Sequence, residues 1–327
     1  MPDHRYFARF GAGNQALLIA VALISAVVTA CVGGARDTSI DLTTTARTPG
    51  ERAVVVSHRG GGISAPENTL PAVTAALAAG FDYVEVDVAL TADRQPVLMH
   101  DPEVDRTTDG HGALADLTLA EVRKLDAGSW FDPHFAGTRV PTLHEFLDVL
   151  EVSGQRALVE LKGPWDGASV SSFAAEVMAR GLDRRVAVSS FDAETLMFAR
   201  EAAASIQRFA IMKAFPGHVV RVAKEVGARG IIVGRRAVIK HPEIVDKLQA
   251  AGVRVAKEVG ARGIIVGRRA VIKHPEIVDK LQAAGVRVVV YTLNTDAQWH
   301  AVTALGVDGI VTDDPGTLSL WQEGARG

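Results

Sequence analysis

Cysteine is almost missing from this 327-residue chain: Cys31 stands alone, so neither an intrachain disulfide nor a cysteine-rich zinc site can form. Aromatic residues make up only 6%, while Ala, Val and Gly are plentiful, a composition that suits packed α/β units with tight turns. Neither sign of charge dominates. The formal net charge is −3, which leaves no broad basic footprint and excludes nucleic acid as an expected partner. No glycine-rich dinucleotide fingerprint follows the first strand-like run, which argues against an open doubly wound sheet.

The N-terminus reads as a targeting segment. Arg5 and Arg9 precede an uncharged apolar run from Ala16 to Val28, 13 residues long. That is short for a bilayer-spanning helix and suits a signal-peptide core. Val28, Thr29 and Ala30 then lead into Cys31, similar to the bacterial lipobox, where cleavage precedes a lipidated cysteine. Residues 1–30 are therefore expected to be a lipoprotein-type signal peptide, with lipidation at Cys31. Residues 31–50, small and polar, are expected to form a flexible tether, and residues 51–322 the folded domain. The alternative is an uncleaved anchor helix with an incidental thiol. Either reading places the domain outside the cytoplasm, held at the outer face of the membrane.

From Ala53 onward, short β-branched runs alternate with amphipathic stretches. Strands are predicted at 53–57, 82–88, 156–161, 185–190, 208–212, 230–233, 287–292 and 309–312, and helices at 68–79, 168–180 and 193–203 among others. Nearly all-apolar strands separated by helices imply a buried parallel sheet. Eight such units in this length fit a closed (β/α)8 TIM barrel. The connection from Thr91 to Pro141 is too long for a simple βα loop and is expected to be a small insertion after the second strand.

Residues 221–253 and 254–286 are identical. Two undiverged copies are not a solenoid, and they supply a ninth candidate strand, 263–266. A closed barrel links strand number to tilt and stagger, so the expectation is that one copy completes the barrel and the other is extruded or packs outside.

Polar residues interrupt the apolar strands at telling places. The first strand ends in Ser57-His58-Arg59-Gly60; the second holds Glu85 and Asp87; the third holds Glu160 and Lys162. Residues two apart on a strand share a face, and all of these lie toward strand C-termini, where barrel enzymes place their sites. Three converging carboxylates repel unless a cation sits among them, and all-oxygen ligation favours Mg2+ or Ca2+. The other reading is salt bridging to Arg59 and Lys162 without metal. His58 and His100, the latter beside Asp101, form a candidate acid–base pair, and Arg59 and Lys162 can face a phosphate. His111, His134, His144, His241 and His274 are weaker candidates, in the insertion or at helix starts.

With those residues in view, the chain resembles the glycerophosphodiester phosphodiesterase family, of the PI-PLC-like phosphodiesterase superfamily, in a bacterial lipoprotein-type form. The motifs run in order: HRG at 58–60, PENT at 66–69, EVDV at 85–88, HDP at 100–102, RTTDG at 106–110, VPTLHE at 140–145, VELK at 159–162, SSF at 189–191 and TDDP at 312–315. The resemblance implies a divalent ion, Ca2+ or Mg2+, on Glu85, Asp87 and Glu160, and catalysis by His58 and His100. It implies phosphate contacts from Arg59 and Lys162, with Glu67, Asn68, Phe191 and Tyr291 lining the substrate pocket. Glu67 also reads as a helix-start acid, and Phe191 and Tyr291 also read as core. Tyr291 stands where family members often carry tryptophan, which bears on substrate choice.

The implied activity is metal-dependent hydrolysis of a glycerophosphodiester to glycerol 3-phosphate and an alcohol. A lysophospholipase D-like lipid phosphodiesterase is the second reading. A non-catalytic binding lipoprotein is the third, should the duplication disrupt the barrel.

Overall fold

The computed structural model describes residues 51–212, 219–233, 263–283 and 286–324. The expected signal segment, the tether with Cys31, and His241 lie outside the described residues. Among the described residues, no helix is long and apolar enough to cross a membrane.

Strands and helices alternate along the chain. The first half holds β1 (Val54–Ser57), α1 (Leu70–Ala78), β2 (Tyr83–Leu90), β3 (Pro96–Leu98), α2 (Leu119–Val122), α3 (Leu143–Ser153), β4 (Arg156–Leu161), α4 (Gly167–Ala179), β5 (Val186–Ser190), α5 (Ala193–Ala202) and β6 (Gln207–Met212). There follow α6 (Val219–Glu225), β7 (Gly230–Val233), β8 (Gly263–Gly267), α7 (Arg268–Lys273), α8 (Glu276–Ala283), β9 (Arg287–Tyr291), α9 (Asp296–Thr303), β10 (Gly309–Thr312) and α10 (Pro315–Gly324). Helix starts are written in the sequence. Thr69, Asp166 and Asp192 each accept a hydrogen bond from a backbone N–H in the first turn, and Thr142 with Glu145 forms a capping box. Asn68, at φ 55°, is left-handed, so α1 starts later than its apolar periodicity predicts.

Nine parallel strands close on themselves in the order β1-β2-β4-β5-β6-β7-β8-β9-β10, and β10 pairs back onto β1. Alternation along each strand divides the apolar residues between two cores. Val54, Val56, Leu158, Phe209, Ile211, Val289 and Val311 point into the barrel. Their neighbours Val55, Val86, Val159, Val188, Val288 and Ile310 point out, against the helices. The long connection after β2 has its own small core of Val97, Met99, Val104, Leu114, Val122 and Val140. Its strand β3 runs antiparallel on β2, outside the ring.

Among the described residues, neither copy's strand is extruded or packed outside, contrary to expectation. The strands of both copies, β7 and β8, lie in the barrel wall, with Ile232 and Ile265 both packed into the interior. The reason lies in the register. Gly230 pairs with Gly263 and Val233 with Val266, each with its own duplicate, so the added strand brings no stagger of its own. Strand number rises while the stagger of the remaining strands is kept, and closure survives.

Candidate active site

The inward parity of the barrel strands continues past their C-terminal ends and selects the site. Counting by twos from Val54 and Val56 reaches His58. From Tyr83 the count reaches Glu85 and Asp87, from Leu158 it reaches Glu160 and Lys162, and from Val311 it reaches Asp313. Register puts Glu85 opposite Leu158 and Asp87 opposite Glu160. One ligand oxygen each from Glu85, Asp87 and Glu160 lies within 4.8 Å of the others. Glu85 and Asp87 are buried, and Glu160 is half-buried.

Carboxylates this close repel, and the protonation balance shows it. Burial, with the charge of Asp87 behind it, pushes the Glu85 carboxyl up to about 7. Burial likewise raises Glu160. Asp87 goes the other way: burial opposes ionisation, but Lys162 and Arg59 outweigh it and hold the carboxyl low. Lys162 Nζ is 3.1 Å from Asp87 and 2.8 Å from Glu160. Arg59 Nε is 3.3 Å from Asp87, an ion-pair distance without hydrogen-bond alignment, so that N–H is left unsatisfied. Salt bridging is thus present, as the metal-free reading expects, but it serves Asp87 and Glu160 and leaves Glu85 with a surplus of nearby negative charge. Three converging carboxylate oxygens, two of them from buried residues, with one incompletely compensated carboxyl fit a hard divalent cation.

His58 sits in a tight turn, His58–Gly60, that continues β1. The turn lies so close to α1 that a Cβ on Gly60, at φ +82°, would come within 2.9 Å of the Val73 nitrogen. Arg59 N donates to Glu85 Oε2 at 3.0 Å, and Arg59 O accepts from Asn68 N at 2.9 Å. His58 Nδ1 lies 2.6 Å from Asp313 Oδ1, and its Nε2 lies 4.0 Å from Glu85 Oε2. Burial works against the imidazolium, but Asp313 and Glu85 prevail and His58 titrates above its ordinary range.

His100 follows β3, which is tied to the rim of β2 by Met99 N donating to Asp87 O at 3.0 Å. Its Nδ1 meets Asp101 Oδ1. Burial dominates there and lowers its pKa. Two imidazoles displaced in opposite directions, each held at Nδ1 by a carboxylate, have what an acid–base pair needs.

The other expected residues are placed as follows. Asn68 Nδ2 donates to Asp87 at 2.9 Å and Asn68 Oδ1 accepts from Asp87 N at 3.0 Å. Glu67 lies before α1 and accepts from both Arg59 and Arg106, so its role is ionic rather than that of a helix-start acid. Tyr291 packs on the interior cluster at the rim of β9, and Phe191 is half exposed just past β5. His111 and His144 pair with acids at the surface, away from the trio.

Asp313 and Asn294 join the candidate site, and the sequence reading does not assign either. Asn294 accepts from Asp313 N at 3.0 Å and donates to its Oδ2, fixing the carboxylate that holds His58. Parity carried two residues past Val311 points to Asp313; nothing in the sequence points to Asn294.

A parallel barrel with an acidic trio at its C-terminal rim, two carboxylate-held imidazoles and two cations defines a site class suited to a divalent ion and a phosphate. The profile of the Glycerophosphoryl diester phosphodiesterase family matches residues 58–317, and the chain belongs to that family. It is 49% identical over 109 residues to a putative glycerophosphodiester phosphodiesterase of Bacillus subtilis, covering 33% of this chain but only 44% of that protein. It is 32% identical over 215 residues to a probable glycerophosphodiester phosphodiesterase 1 of Mycobacterium tuberculosis, covering 61% of this chain and 78% of the relative. Among solved structures, a glycerophosphodiester phosphodiesterase of Agrobacterium tumefaciens superposes with TM-score 0.63 at 27% identity, over 82% of this chain and 100% of that one. A phosphodiesterase of Oleispira antarctica, in complex with the product sn-glycerol-3-phosphate, gives TM-score 0.62 at 25% identity over 82% and 96%.

Proposed function

We propose that this protein hydrolyses glycerophosphodiesters to glycerol 3-phosphate and an alcohol, with Ca2+ or Mg2+ held by Glu85, Asp87 and Glu160. The observation that carries the reading is the acidic trio within 4.8 Å, bordered by two imidazoles that are each oriented by a carboxylate. The product named in the Oleispira relative supports the same substrate class.

Arg59 and Lys162 bind the phosphate oxygens and draw electron density from phosphorus. With Nδ1 engaged by Asp313 or Asp101, each imidazole has Nε2 free to exchange a proton. One takes the proton from the attacking hydroxyl, and the other delivers one to the departing alkoxide. A divalent ion bound to the trio would supply further charge neutralisation for the phosphate. Phe191 and Tyr291 border the space where the alcohol portion sits. The domain works outside the cytoplasm, tethered through Cys31 and residues 31–50 after loss of residues 1–30, which keeps it beside the membrane that supplies such substrates.

The test is turnover of glycerophosphocholine, followed as release of glycerol 3-phosphate, with Ca2+ or Mg2+ added and then removed by EDTA. Turnover that EDTA abolishes and metal restores is expected. No turnover with either ion would falsify the assignment. Location is tested by fractionating cells fed a labelled fatty acid: the parent should sit in the membrane fraction and carry the label, and Cys31→Ser should lose the label; an unlabelled parent in the cytosol would refute the reading.

A further inference from the structure

Beyond the site residues, a chain of alternating charges joins the two walls of the mouth. It starts at His100, whose Nδ1 meets Asp101 Oδ1. The other oxygen of Asp101 accepts from Arg106 Nε. The far end of Arg106 donates to both oxygens of Glu67, at 2.9 Å and 2.7 Å. Glu67 Oε1 also accepts from Arg59 Nη1 at 2.8 Å. His100, Asp101 and Arg106 belong to the insertion after β2; Glu67 and Arg59 belong to the loop after β1. Arg106 is the member that crosses.

We infer that Arg106 is a positioning residue for the hydrolysis proposed above: it fixes Asp101, and through Asp101 it sets the tautomer and aim of His100. Its side chain is 44% exposed, and an isolated ion pair at such exposure adds little stability. What distinguishes this one is geometry. A planar guanidinium uses Nε on one carboxylate and its two terminal nitrogens on another, which a lysine, a single point charge, cannot do. The fork locks Asp101 with one oxygen turned to the imidazole. That keeps the proton on Nδ1 and leaves Nε2 facing the substrate. Arg59 does not depend on the fork, because Glu67 and Asp87 still hold it when Arg106 is gone.

The inference rests on the proposed hydrolase reading for its kinetics, but not for its spectroscopy. Arg106→Ala should lower kcat by roughly 10–100-fold, the usual cost of removing an orienting partner, with KM within about 3-fold because the phosphate contacts stay in place. Arg106→Lys should recover little of the loss. In a double-mutant cycle, Asp101→Asn combined with Arg106→Ala should be no slower than Asp101→Asn alone, since both act through one contact. Melting temperatures should shift by only a few degrees. Imidazole nitrogen NMR should show His100 as one tautomer in the parent and as a mixture in Arg106→Ala. A parent that turns over no glycerophosphodiester defeats the hydrolase reading, and the tautomer measurement then still decides the positioning role. Normal kcat in Arg106→Ala, losses that multiply in the double variant, a loss carried wholly by KM, or an unchanged His100 tautomer would each overturn it.

Discussion

Deleting residues 254–286 tests how the barrel carries its ninth strand. The two copies are identical, so Val253 would join Arg287 as Val286 does now. β7 would then meet β9 with the pairing that β8 has today, in which Gly263 faces Arg287 and Val266 faces Val290. The perimeter shrinks by one interstrand spacing, about 4.8 Å, and the radius by roughly 0.8 Å. One inward isoleucine of the pair Ile232 and Ile265 leaves with the strand. The acidic trio and both imidazoles sit on or beside β10, β1, β2 and β4, an arc across the ring from β7 and β8. A displacement of about 1 Å at reacting groups costs on the order of 10²-fold, but this contraction is spread around the whole ring and reaches the site as a small fraction of that. The deletion variant should therefore fold, melt no lower than the parent by more than about 5 °C, and keep kcat/KM for glycerophosphocholine within roughly 3-fold. Circular dichroism melting and steady-state kinetics on both proteins read this out. An insoluble variant, or one slower by about 10²-fold, would mean that the ninth strand is integral to the site and that the in-register argument is wrong.

Further outcomes are expected. His58→Ala and His100→Ala should each lower turnover by at least ~10²-fold; near-normal rates in either would remove that residue from the chemistry. Asp313→Asn should cost roughly 10–100-fold in kcat and lower the pKa of His58, because the carboxylate that favours the imidazolium is gone; imidazole NMR titration reads the shift, and an unchanged pKa would count against the pair. Metal binding requires an ionised Glu85, whose carboxyl stands at about 7 when no ion is bound. Affinity should thus fall up to about tenfold per pH unit below that value, with a proton released on binding. The same proton is held by the metal-free native state and lost by the unfolded chain above its ordinary range. Metal-free stability should therefore decline as pH rises from the ordinary Glu range to about 7. Calorimetry in buffers of different ionisation heat checks both, and pH-independent affinity would refute them. Gly60→Ala should destabilise the fold by about 1–3 kcal/mol, because its φ is +82° and the added methyl would meet α1; unfolding in denaturant that matches the parent would contradict the close approach.

Much of this was legible in the sequence because the barrel writes its topology in short apolar runs. The predicted strands at 156–161, 230–233 and 309–312 coincide with β4, β7 and β10, and the others differ by a residue or two at their ends. The convergence of Glu85, Asp87 and Glu160 is legible for a related reason: alternation along the strands turns these acids to one face at one rim. The repeat was misjudged because counting strands treats a ninth as surplus, whereas register decides whether it fits, and register appears only when Gly230 and Gly263 are seen paired. Asn294 was missed because it acts on another side chain, Asp313, and no spacing rule links positions in different loops. Arg106 was read only as one letter of a motif for the same reason.

The hydrogen bond from His58 to Asp313 spans 255 residues and bridges the two strands whose pairing completes the ring. A chain still being synthesised, or one clipped near its end, holds the imidazole without the acid that steadies it. On the proposed hydrolase reading, full competence therefore arrives with the last strand, and a substrate assay doubles as a check that the polypeptide has been finished and sealed.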